Sequence, residues 1–462
     1  MKKIYTIILL VIVSTVTNAQ FTDLLDFTGT ANGKNPYGSL ISDGTFLYGM
    51  TYAGGVNNLG TIFKIKPDGT GYLKLLDFSG TANGSNPYGS LFYDGTFLYG
   101  MTYAGGANSD GTIFKIMPDG TGYLKLLDFS GTANGSNPRG SLISDGTFLY
   151  GMANMGGVNT IGCVFKIKPD GTGYLKLLDF ASISNGQAPE GDLFYDGTFL
   201  YGTTRGGGTN NLGTIFKIKP DGTGYLKLLD FSGTANGSNP RGSLISDGTF
   251  LYGMTEQGGV NIIGTIFKIK TDGTGFVKLF DFSGAADGRY PAGSLISDGT
   301  FLYGMSNMGG SGNIGCAFKI KTDGTGYYKL VDFIGATTGS NPYGTLFSNG
   351  TSLYGMTEMG GANTDGTIFI VGINSGVIEN NLEKYFHVYP NPFSETATLQ
   401  ITNPQIMNVE LTIYNVFGQT VYNTLIHNSS FVISRGDLSN GIYFLQLKTS
   451  EGVVEKKIVI EK

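Results

Sequence analysis

Two series of side chains, each recurring every 51 residues, hold most of the groups that could do chemistry in this 462-residue chain. The first reads Tyr37, Tyr88, Arg139, Glu190, Arg241, Ala292 and Tyr343; the second reads Tyr52, Tyr103, Asn154, Arg205, Glu256, Asn307 and Glu358. Tyr beside Arg and Glu suits carbohydrate or peptide recognition, because rings stack on apolar faces while charged groups hydrogen-bond. Packing alone would accept one residue type at all seven copies. Their divergence leaves two readings, a shaped binding surface or drift on exposed loops held by a rigid scaffold.

Catalysis has less support. His387 and His427 both lie beyond the repeats, which excludes a His-based triad or a His-rich zinc site there. Glu190 with Glu256 could form a glycosidase pair, and Arg139, Arg205 and Arg241 with a Tyr a sialidase-like set; both need separations that spacing does not give. No catalytic residue, cofactor or metal site is assigned. The segments from Asp77 to Asn86 and from Asp128 to Asn137 are rich in oxygen ligands, but they lack an Asp-x-Asp-x-Asp-Gly ladder, and turns explain them. Cys163 and Cys316 share one repeat position three units apart, too far for a disulfide, and read as small core residues. Both follow altered upstream pairs, Asn154-Met155 and Asn307-Met308; if 154 pairs with 163, these are linked packing changes.

The elements that position these groups repeat without an insertion. Within one unit, Ser39 to Ser42 reads as a strand, Asp43-Gly44 as a tight turn, and Phe46 to Tyr52 as a second strand. Thr61 to Lys66 and Tyr72 to Phe78 follow as the third and fourth. Four antiparallel strands per unit describe a propeller blade. The chain opens with an isolated fourth strand, Phe21 to Phe27, and the last unit stops after its third, near Val371. The expected fold is therefore all-β: a seven-bladed β-propeller closed by the N-terminal strand, followed by a small β-sandwich. A linear β-solenoid is the alternative.

Composition agrees. All but four of the 75 glycines precede residue 377, so the high Gly belongs to turns of the repeat. Charged residues make up 14% and the net charge is -5 without a run of like charges, which argues against a nucleic-acid partner. Residues 1–19 combine Lys2 and Lys3, an apolar run and a small-residue end at Thr17-Asn18-Ala19, a signal peptide too short to span a bilayer. The predicted domains are the signal peptide at 1–19, the propeller at 20–373, a polar linker at 374–384 and a sandwich at 385–462. No transmembrane segment is expected after signal cleavage, and a monomer is expected.

Two resemblances extend this reading. The unit resembles the kelch repeat, since Leu47-Tyr48-Gly49 leads to Gly54-Gly55, with Tyr72 where kelch usually has Trp. Lacking Trp and keeping strict Asp-Gly-Thr turns, it is more similar to the GloVer tandem repeat of bacterial exported proteins, which implies no established activity. The tail resembles the type A C-terminal sorting domain of the type IX secretion system of Bacteroidota. That resemblance rests on Tyr389-Pro390-Asn391-Pro392-Phe393, Phe417-Gly418-Gln419, Gly441-Ile442-Tyr443 and Lys456-Lys457-Ile458. It implies the type IX machinery as a partner and an extracellular or outer-surface destination; an accessory adhesion sandwich is the alternative. The functional expectation is a binding or interaction module with a possible glycan or peptide ligand. The alternatives are a surface glycan-acting enzyme and a structural surface protein.

Overall fold

Asp43 and Gly44 show how one unit folds. Gly44 takes a φ of 91°, while Asp43 Oδ1 accepts hydrogen bonds from the Thr45 and Phe46 amides, both at 2.7 Å, and Oδ2 accepts one from the Tyr48 hydroxyl. This capped turn joins β2 (Ile41–Ser42) to β3 (Leu47–Thr51), and β4 (Thr61–Ile65) and β5 (Leu73–Asp77) complete an antiparallel sheet in sequence order. Each strand is shorter than the sequence suggests because the turns take their flanking residues. All five residues of β3 are buried, since both sheet faces are covered, whereas β5 is the half-exposed outer strand.

The computed structural model describes residues 21–373, 385–403, 406, 408–449 and 452–461. The expected signal peptide and linker lie outside them. The described residues are all-β without helices and divide into two compact units, within Ala19–Ile373 and Asn374–Lys462. No helix among them is long and apolar enough to cross a membrane.

The first unit holds seven four-stranded antiparallel sheets. The seventh is completed by β1 (Thr22–Asp26), which pairs with Thr367–Gly372 and so covers an edge that would otherwise expose backbone groups. Buried clusters lie between sheets. Tyr99, Met101 and Ile113 pack with Leu149, Phe165 and Ile167 of the next unit, and Tyr354, Met356 and Ile368 of the last pack with Leu40, Leu47 and Phe63 of the first. The packing of successive sheets therefore has no free end. Away from the variable residues, Lys64 Nζ lies over the Phe46 ring and donates to the Pro118 carbonyl at 3.0 Å, a clamp repeated by Lys115, Lys166, Lys217 and Lys268. Ile370 takes the lysine's place in the last unit, where it pairs with Thr22.

In the second unit, strands Phe386–Tyr389, Thr396–Ile401 and Ser430–Ser434 form one sheet. Thr420–Ile426, Val409–Asn415, Gly441–Thr449 and Gly452–Ile460 form another, and the two share one buried core. Thr420–Ile426 carries no strand signal of its own in the sequence. It is an edge strand whose mostly exposed residues form no apolar run.

The closing strand carries a pH signature. Burial, and then the nearby Asp26 carboxylate, push the Asp23 pKa up from 3.8 to about 6. The folded state thus holds this proton more tightly than the unfolded chain, so the stability it gives is present at low pH and lost as pH rises from about 4 to about 6. Asp23→Asn should raise the unfolding midpoint relative to the native chain by an amount that grows across that window. Thermal scans giving the same difference at both ends would contradict this.

Candidate functional site

One Gly and one oxygen-bearing residue from every unit build the floor of the site. A Cβ on Gly38 would fall 2.3 Å from the Gly89 carbonyl oxygen. The same closeness recurs at Gly89, Gly140, Gly191, Gly242 and Gly293, and Gly344 returns to the Gly38 carbonyl at 2.2 Å. None of these seven has a positive φ, so glycine is required here for space. The next residue in each unit donates its amide to the following unit: Ser39 to Ser90 Oγ (2.7 Å), Ser90 to Ser141 (2.8 Å), Ser141 to Asp192 Oδ1 (2.6 Å) and Asp192 to Ser243 (2.6 Å). Ser243 then donates to Ser294 (2.7 Å), Ser294 to Thr345 (2.9 Å), and Thr345 back to Ser39 (2.7 Å). This cycle of seven bonds surrounds a cavity of about 70 Å3.

The first variable series lines the mouth of that cavity, and the second interleaves with it. Tyr37 stacks on Tyr88 with centroids 4.6 Å apart, meets Tyr52 and Tyr343 edge-on, and donates its hydroxyl to Glu358 Oε1 at 2.7 Å. Burial pushes the Tyr37 and Glu358 pKa values up. Arg139 lies over the rings of Tyr88 and Tyr103 at 5.1 and 5.4 Å. Opposite the tyrosines, Glu190 pairs with Arg139 (3.2 Å), Arg241 (3.3 Å) and Arg205 (3.8 Å), while Glu256 pairs with Arg241 (3.0 Å) and Arg205 (3.3 Å). Burial is the largest single effect on Arg139 and Arg241 and works against their charges, but Glu190 together with the neighbouring tyrosines, and Glu256 for Arg241, holds both pKa values above the ordinary arginine value. The contacts of Arg241 Nε lack hydrogen-bond alignment, so the attraction there is coulombic. Three arginines against two glutamates leave one positive charge in excess.

Not every variable position faces the mouth. Asn154 and Asn307 are buried and donate to the Pro189 and Pro342 carbonyls at 3.0 and 3.4 Å, tying their units to the next. Ala292 does line the cavity but is buried and adds neither ring nor charge, and the Arg241 guanidinium lies 5.9 Å from the Tyr343 ring. Cys163 pairs with Ala153 rather than Asn154, and Cys316 with Ser306, where other units place a bonded Thr pair such as Thr51 and Thr61 at 2.9 Å. Both thiols are free and buried. In the oxygen-rich loops, Asp77 is taken up by Lys74 and the Val56 amide, and Asn83 by Ser79 and the Asp77 carbonyl. Among the described residues, no three His, Cys, Asp or Glu side chains gather as a metal site. The sequence reading missed the Ser ring and its one carboxylate, although Gly191-Asp192 replacing Gly-Ser was a visible signal.

In the tail, Asn391 accepts from the Val459 amide at 2.8 Å and donates to the Lys457 carbonyl at 2.9 Å, so the Tyr389-Pro390-Asn391-Pro392 segment lies against the final strand. His387, Tyr389, Asn391, Lys456 and Lys457 line one cleft of about 410 Å3. Gly418 takes a φ of 77° in the turn that Asn415 caps, and Gly441 opens a long strand.

The Gloeobacter/Verrucomicrobia repeat matches residues 93–247 and 184–369, and the chain belongs to that repeat family. Residues 387–461 match the secretion system C-terminal sorting domain, so the chain carries a type IX sorting tail that indicates export to the cell surface or secretion. No curated protein matches the chain. A puromycin-hydrolysing peptidase of Mycobacterium tuberculosis is similar in fold at 12% identity and a TM-score of 0.50, over 84% of this chain and 62% of that one. PorZ, a surface component of the type IX secretion system of Porphyromonas gingivalis, aligns at 14% identity and a TM-score of 0.47, over 95% and 61%. The extracellular domain of BT4673, a putative one-component system from B. thetaiotaomicron, aligns at 10% and 0.49, over 96% and 58%. The chain spans about three fifths of the length of these last two.

The glycine cycle makes a direct prediction. Gly89→Ala would place a methyl group 2.2 Å from the Gly140 carbonyl oxygen. Overpacking of this kind costs about 1–3 kcal/mol, read as a lower denaturant midpoint. An unchanged midpoint would show that the units can part there freely.

Proposed function

We propose that the seven sheets are the blades of a β-propeller closed by β1, that the tail is a β-sandwich sorting domain at 385–462, and that residues 1–19 are a cleaved signal peptide with a linker at 374–384. The exported protein then acts as a binding or interaction module outside the cell. The observation that carries this reading is the contrast within one repeat. The floor is nearly uniform, whereas the mouth above it holds three tyrosines, two arginines and a glutamate, joined by rings and ion pairs to the second series.

A cavity of about 70 Å3 is far below the roughly 300 Å3 of an ordinary ligand pocket. A glycan or peptide would therefore lie across the mouth, stacking on the tyrosines and presenting polar groups to the arginines. Commitment of Glu190 and Glu256 to arginine pairs favours recognition over glycoside hydrolysis, which needs one carboxyl free to donate a proton.

Glycan and peptide arrays probed with the full chain should identify a ligand. Arg205→Ala, at the most exposed arginine of the network, should then weaken it about tenfold while leaving the melting temperature within about 2 °C. Equal affinity in Arg205→Ala and Tyr88→Ala would reject the mouth as the site. For the tail, removal of residues 385–462 should trap the repeat unit in the periplasm; unchanged surface or secreted protein in cell fractions would count against sorting.

A further inference from the structure

The sixth unit withholds a functional side chain from the mouth and displays two just outside it. Its place in the first variable series is Ala292, which brings neither ring nor charge. Three and two residues earlier stand Arg289 and Tyr290, where four other units have Ser and five have Asn. Both are held beside the rim: Arg289 exchanges backbone bonds with Met308 at 2.8 and 3.1 Å, and the Tyr290 carbonyl accepts the Asn307 amide at 3.2 Å.

The backbone disfavours what this unit places there. The units with Asn use it as Asn239 is used, its Nδ2 donating to the Arg205 carbonyl at 3.0 Å from left-handed backbone that Asn tolerates. Tyr290 takes the same backbone, with φ at 54°, and gives up that amide donor. Its own amide bonds to the Ile263 carbonyl at 2.8 Å, and the preceding residue, Ile262, is also left-handed at 64°, where other units place Asn, Ser or Thr. Bulky and β-branched residues are outliers in this region, and such outliers collect at binding sites. Ile262 and Val260, on one loop, are each 67% exposed. The Arg289 guanidinium lies 5.4 Å from the Tyr290 ring, with Nε buried and unbonded. Among the described residues no carboxylate pairs with Arg289, whereas every arginine of the mouth has a glutamate.

We propose that Arg289, Tyr290 and Ile262 form an outer subsite for an acidic peptide, reached from the mouth across the low wall at Ala292. This rests on the mouth as a binding surface and names its ligand, a chain segment with Asp or Glu beside an aliphatic residue. The carboxylate pairs with the free guanidinium, and the aliphatic side chain packs on Ile262 and Val260. Sugar hydroxyls would find no partner on those branches, which favours a peptide over a glycan. Charge inside the mouth runs the same way, with three arginines facing two glutamates.

The full chain is tested against arrayed peptides that pair Glu with Ile or Leu, the same peptides with Gln for Glu, and oligogalacturonate as an acidic glycan. Acidic peptides should bind about tenfold more tightly than their Gln counterparts. Arg289→Ser, the residue of four other units, should erase that difference with the melting temperature within about 2 °C. Tyr290→Asn and Ile262→Asn should weaken the same peptides while raising the melting temperature by about 2 °C, since both relieve disfavoured backbone. An acidic preference that survives Arg289→Ser would overturn the proposal, as would binding of oligogalacturonate in place of the peptides or no peptide bound at all. Affinity lost in Tyr88→Ala but kept in Arg289→Ser would leave the mouth standing and reject the outer subsite; loss in Arg289→Ser alone would keep the subsite and reject the mouth.

Discussion

The structure depends on how closely seven backbones can approach one another. At the seven glycines from Gly38 to Gly344, the space a Cβ would fill is already occupied by the next unit's peptide. Each approach is fixed by one amide-to-oxygen bond of 2.6–2.9 Å. An inserted residue at this step would shift both features in one unit and break the cycle in two places. Freedom returns one residue to either side: before the glycine lies the variable mouth, and after it the oxygen acceptor, where Asp can replace Ser.

That constraint also decided what could be read from sequence. The Asp-Gly turns, the strand-rich unit and the pairing of β1 with the last sheet were legible because they rest on local turn chemistry and on counting strands. Convergence of Tyr37, Arg139, Glu190 and Arg241 was legible because equivalent positions of a closed repeat share a location. What was hidden depended on neighbours. Asn154 and Asn307 look like exposed polar residues, yet each turns inward to a carbonyl 35 positions ahead. The edge strand Thr420–Ile426 owes its place to pairing with Val409–Asn415, since its own residues are largely exposed.

The mouth is stiff for an electrostatic reason. Exposed ion pairs contribute little, but Glu190 retains only 7% of its side-chain surface and touches three arginines, so losing any one leaves the others in place. The tyrosine side achieves the same end with stacked and edge-on rings, and Arg139 joins the halves by lying over Tyr88 while pairing with Glu190. Under the proposed binding role, a ligand laid across such a surface would meet side chains that have already lost their rotamer freedom.

Export places two further demands on the chain, and the cysteines show how the fold meets one of them. A free thiol outside the cell is exposed to oxidation, which proceeds through the thiolate. Burial pushes Cys163 up to about 12 and Cys316 up to about 11, far from the thiolate form at neutral pH. Each occupies the place of a Thr in a bonded pair, and its partner changes with it: Ala153 opposite Cys163 removes the hydroxyl, while Ser306 keeps one within 3.2 Å of Cys316. The second demand falls on the tail, whose first and last motifs are more than 60 residues apart in sequence. Asn391 joins them through two backbone bonds to the final strand, so the cleft beside Lys456 and Lys457 exists only once the whole domain has folded.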